Sequence, residues 1–174
     1  GFLAPLPVEV GAGRQRRSGA RPHRVGVMAL PVAAELVRTF RLPLIAHLLA
    51  HFHFMRCGAM VGFARDAYNV PVPQMAGPPE FMRVFRAHAN QSEQQTGFYW
   101  LMWIFSALVS PVAGGAIGIL WVALRLGYFE YYRKLPTDKK EGIHKGLYRF
   151  TIPSYLCNNI FILGILVKLV QSFL

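Results

Sequence analysis

Arg86, Asn90 and Glu93 stand at positions i, i+4 and i+7, with Arg83 one turn earlier, in the stretch FMRVFRAHANQSE. On a helix that spacing lines one face. Arg125, Tyr128 and Tyr132 stand at i, i+3 and i+7 further along and form a second stripe. A guanidinium clamps a carboxylate in a two-pronged fork. A carboxylate takes an ammonium, and a primary amide can do both jobs. Phenol hydroxyls donate to a thiolate. Together these groups suit a ligand with carboxylates, one amine and one thiol, and glutathione is such a ligand. A second reading stands beside this one: the two stripes satisfy each other as contacts between helices. From the residues alone the two have equal weight.

The elements that must position these stripes are membrane helices. The 174 residues are 53% hydrophobic and only 16% charged, against ~25% charged in a typical soluble domain. A span needs roughly 20 apolar residues to cross a ~30 Å hydrocarbon core. Four segments qualify: about Leu42–Ala64, Glu80–Ser110, Val112–Tyr132, and Ile143 to the end, with a kink expected at Pro153. The prolines of RDAYNVPVPQMAGPP, the turn SPVAGG and the charged loop RKLPTDKKEG separate them. The expected fold is an all-α integral membrane four-helix bundle.

The net charge of +11 raises nucleic acid as a partner. The distribution argues against it. Five cations, Arg14, Arg16, Arg17, Arg21 and Arg24, lie in a basic head with one acid, Glu9, and the others cluster at the ends of apolar segments. The chain is therefore divided into residues 1–27, read as a basic leader or disordered head, and residues 28–174, the membrane domain. Arg65 in the first connection and Arg133, Lys134, Lys139 and Lys140 in the third put those two loops on the cytosolic side. Both termini then lie opposite. The basic head conflicts with that topology, which is the reason to expect it to be removed or foreign.

His47 and His51 share a helical face, but no third ligand accompanies them, so no metal site is expected. Cys57 and Cys157 read as buried free thiols rather than a disulfide. Arg56 inside a span is costly unless it faces protein, which makes it a functional candidate.

GPPEF, then RVFRAH-N--E, then Arg125 with Tyr128 and Tyr132, together resemble the membrane-associated proteins in eicosanoid and glutathione metabolism (MAPEG). Within that family the microsomal glutathione transferases and the cysteinyl-leukotriene synthase are nearest. The resemblance covers about Ala64 to Lys140 in register. It implies a homotrimer with glutathione as co-substrate, held between neighbouring subunits at the cytosolic leaflet. It implies that Arg65 holds a glutathione carboxylate. Arg86, Asn90 and Glu93 would hold the tripeptide, with His88 lining the site, and Arg125, Tyr128 and Tyr132 would come from the neighbouring subunit. Lys139 falls where the synthase has a thiolate-stabilising arginine, so Lys139 and Tyr132 are the expected catalytic residues.

There are departures: Gln94 replaces an aromatic, Thr96 a proline and Asp66 a second cation. The implied activity is glutathione transfer to lipophilic electrophiles, or reduction of lipid hydroperoxides. The alternative is a non-catalytic scaffold or an accessory subunit of a larger membrane complex. The implied location is the endoplasmic reticulum, or else a mitochondrial or plastid membrane.

Overall fold

The computed structural model describes residues 25–135 and 143–174. Among them are five helices: α1 (Val25–Thr39), α2 (Arg41–Tyr68), α3 (Pro79–Leu108), α4 (Pro111–Arg133) and α5 (Ile143–Gln171). Helices α2 to α5 occupy the four expected segments. The fifth, α1, was not anticipated. It leads into α2 through Phe40, whose amide donates to Leu36 and whose carbonyl accepts from Leu44, both at 2.9 Å. Its described side chains, Pro31–Thr39, are exposed. Residues 1–24, which hold most of the expected head, lie outside the described residues.

Helices α2, α4 and α5 contain stretches long and apolar enough to cross a membrane: Arg41–Ala67, Pro111–Arg133 and Gly146–Gln171. At 30 residues, α3 is as long, but the part up to Gln95 carries Arg83, Arg86, Asn90, Gln91, Glu93, Gln94 and Gln95. Its polar side chains make it less apolar than its neighbours, and it packs against α2, α4 and α5. The chain is an integral membrane protein.

Local chemistry sets the helix ends. Asn69 terminates α2 in the left-handed region, at φ 52°, and its amide donates back to Arg65 and Asp66. Asparagine tolerates that conformation better than most residues. The turn before α4 shrinks to two residues because Ser110 caps the helix, its hydroxyl accepting from Ala113 at 3.2 Å, and Pro111 takes the first helical position.

The core is aromatic. Phe98 and Trp121 stack at 3.9 Å, and Phe161 and Phe105 close around them with Met102. Close approach of α2 to α4 depends on glycine. A Cβ at Gly115 would strike the backbone of Leu42 and Pro43, and one at Gly118 would meet Met102 and Ala46. Backbone cannot swing aside as a side chain can. Gly115→Val is therefore expected to destabilise the bundle by about 1–3 kcal/mol or more, read as a fall in melting temperature in detergent, while Gly62→Ala, at an open position, leaves it unchanged.

Candidate functional site

The two stripes meet within one chain. Buried Arg125 on α4 donates from Nε to Gln91 Oε1 and from Nη2 to Asn90 Oδ1 on α3, each at 2.9 Å. Its guanidinium lies 4.4 Å from the ring centre of Tyr128, an attractive arrangement for a cation over an aromatic face. Tyr128 stacks in turn on Tyr132 at 5.6 Å. Arg86 precedes Asn90 by one turn on the same face of α3. Arg86, Asn90, Arg125, Tyr128 and Tyr132 thus form one polar neighbourhood between α3 and α4.

Arg86 and Glu93 are exposed, and neither forms an ion pair or side-chain hydrogen bond among the described residues. Arg56, Arg83, Arg125 and Arg133, by contrast, each engage another side chain. Arg56 pairs with Glu130 and lies over the Phe129 ring. The same carboxylate also takes Arg133 and Lys134. The cation that looked costly inside a span is thereby matched by an acid from α4.

Arg65 closes its own loop. Its Nη1 donates to the carbonyls of Val70, Pro71 and Gln74 at 3.4, 3.3 and 2.7 Å, and its guanidinium lies over Phe81. A cleft of about 490 Å³ opens beside it, lined by Arg65, Asp66, Asn69, Val70 and Pro71. His88 is half-buried and turned toward α2, its ring 5.2 Å from that of Phe54, with Nδ1 unpartnered among the described residues. Two residues on from Arg86, it stands about 200° around the helix from it. Lys139 lies outside the described residues.

Gln94, where an aromatic was expected, donates to Tyr155 Oη on α5 at 3.0 Å. His47 is stacked on Tyr99 and receives a bond from Trp103 Nε1 at 3.3 Å, while His51 is exposed. Cys57 and Cys157 are buried free thiols. Gln91 and Gln95 went unnoticed in the sequence, yet both are buried, and Gln91 is the direct partner of Arg125. Their i, i+4 spacing, next to Asn90, was the available signal.

Fold and site define an integral membrane helical protein with an Arg-, Asn- and Tyr-lined polar region where two helices meet. The chain belongs to the MAPEG family, whose model matches residues 42–151, more than half of the sequence. It is 38% identical over 71 residues to leukotriene C4 synthase of Mus musculus, covering 41% of this chain and 47% of that protein. It is 27% identical over 114 residues to microsomal glutathione S-transferase 2 of the same species, covering 66% of this chain and 75% of that protein. To the human microsomal glutathione S-transferase 2 it is 32% identical over 87 residues, covering 50% and 59%. The chain spans about half the length of the leukotriene C4 synthase it matches.

Proposed function

We propose that this protein is a membrane-bound glutathione transferase that conjugates glutathione to lipophilic electrophiles, with reduction of lipid hydroperoxides as a further activity. One observation carries the reading. In a membrane bundle where Arg56, Arg125 and Arg133 all have protein partners, exposed Arg86 and Glu93 present opposite charges on one helical stripe, with no partner among the described residues. A guanidinium and a carboxylate left free on one stripe suit a zwitterionic ligand that supplies the opposite charges. The named activities of the transferase relatives support the same ligand.

In this reading Arg86 takes a glutathione carboxylate and Glu93 its ammonium. Asn90 adds a hydrogen bond. Arg125 holds Asn90 and backs Tyr128. Tyr132, with Tyr128, donates toward the sulfur, and Lys139 stabilises the thiolate. Arg65 completes the site from its rim, while His88, turned toward α2, lies behind it. The thiolate sulfur forms a bond to electrophilic carbon. The leaving group departs, or an opened epoxide oxygen takes a proton. With a hydroperoxide, two glutathiones give the disulfide, an alcohol and water. The protein contributes position and charge stabilisation. The microsomal label of the relatives supports an endoplasmic reticulum membrane.

The test is conjugation of a generic aryl halide, and peroxide reduction, by the purified protein in detergent. Glutathione binding without turnover of either substrate would instead mark a non-catalytic binder. Absence of binding would end the reading.

The same exposed charges support a homotrimer, in which a neighbour would cover each α3 stripe at an equivalent interface. Native mass spectrometry in a mild detergent is expected to give three chains; monomer alone from folded protein would count against it.

A further inference from the structure

A chain of buried and half-buried hydrogen bonds runs along α3 behind the site. Tyr99 Oη donates to the carbonyl of His47 at 3.4 Å and accepts from Gln95 Nε2 at 2.7 Å. Gln95 Oε1 accepts from Gln91 Nε2 at 2.9 Å. Gln91 Oε1 accepts from Arg125 Nε, and Arg125 Nη2 donates to Asn90 Oδ1. Gln91, Gln95 and Tyr99 follow at four-residue steps, so the line extends about 12 Å along the helix.

The direction of this chain has one solution. A guanidinium only donates, and a backbone carbonyl only accepts. Arg125 stands at one end and the His47 carbonyl at the other. Reversing the amide of Gln91 would set its Nε2 against Arg125 Nε and its oxygen against that of Gln95. Reversing Asn90 would set Nδ2 against Arg125 Nη2. With Gln91 1%, Arg125 2% and Gln95 7% exposed, water cannot repair the mismatch at Gln91, and an unmatched polar group in low dielectric is costly; at half-buried Asn90 the guanidinium, which can only donate, sets the orientation. Asn90 Oδ1 is therefore committed to Arg125. Its Nδ2 has no partner among the described residues and is the part left for a ligand.

We propose that Gln91, Gln95 and Tyr99 are a positioning relay that holds the Arg125 guanidinium in place, so that its Nη2 fixes Asn90 as a hydrogen-bond donor. The group Asn90 receives is then a carboxylate or carbonyl oxygen of glutathione, and not its ammonium. This rests on the glutathione reading above. Glu93, an acceptor only when ionised, is left to take the ammonium.

The experiment is calorimetric titration of the full chain in detergent with glutathione. Asn90→Asp keeps an oxygen for Arg125, so the melting temperature is not expected to fall. It replaces the donor with a second oxygen, so the dissociation constant is expected to rise at least tenfold. Tighter binding by Asn90→Asp would mean that position 90 receives the ammonium and would overturn the assignment.

Gln95→Leu, three hydrogen bonds removed from Asn90, is expected to weaken binding three- to tenfold in the parent and less than twofold in an Asn90→Ala background. Equal effects in both backgrounds would make Gln95 merely structural and overturn the relay, while leaving the glutathione site in place. A parent protein that does not bind glutathione overturns the functional reading itself, and the relay's assignment with it.

Discussion

Arg86→Ala is expected to weaken glutathione binding ten- to hundredfold without lowering the melting temperature. A charge-assisted, two-pronged contact to a carboxylate contributes roughly 1.5–3 kcal/mol, which is about one to two decades in affinity. The fold should not notice the loss, because Arg86 is exposed and engages no described residue through a hydrogen bond or ion pair. Arg125→Leu supplies the contrast. It removes a guanidinium held by Asn90, Gln91 and the Tyr128 face and leaves buried amide oxygens without a donor, so it should lower stability as well as binding. Titration calorimetry and thermal melts on the two variants separate ligand binding from architecture. If Arg86→Ala binds glutathione as tightly as the parent, the stripe is structural and the proposed function falls.

Lys139→Ala is expected to lower turnover about tenfold while glutathione binding stays within about twofold. A free thiol ionises near 8.5, and a neighbouring cation lowers that value. Near neutral pH each unit of lowering gives about tenfold more thiolate. The interaction matters where charge sits on sulfur, so its loss should appear in kcat rather than in affinity. The sign with pH follows. Turnover should rise with pH as the thiol ionises, and Lys139→Ala should move that rise to higher pH. A guanidinium is less hydrated and less mobile than an ammonium, so Lys139→Arg should raise the thiolate fraction at neutral pH. Thiolate absorbance against pH, with kinetics on both variants, checks this. Normal turnover by Lys139→Ala would move the thiolate-stabilising role to Arg65 or Tyr132.

Much of the architecture was legible from periodicity and apolar length. Segments starting near Leu42, Glu80, Val112 and Ile143 became α2 to α5 with ends shifted by a few residues, because a run of apolar side chains needs a helix to satisfy its backbone in lipid. Helix α1 was missed. Its described apolar residues, within Pro31–Thr39, are exposed and form no long run, so neither burial nor length marked it. The stripe of Arg86, Asn90 and Glu93 was legible too, since 3.6 residues per turn fixes which side chains share a face.

Periodicity is silent on which face meets which neighbour. Arg125 was placed with Tyr128 and Tyr132 by spacing. Packing turns it onto Asn90 and Gln91 of its own chain. Arg56 looked like an isolated charge until α4 brought Glu130 from 74 residues away. Gln91 and Gln95 looked like ordinary polar residues until burial forced each amide into one orientation. In each case the residue type was plain along the chain, but its partner lay on another helix or its role depended on burial. Those pairings follow from how closely the helices approach, and at α2 and α4 that approach is set by the bare backbone of Gly115.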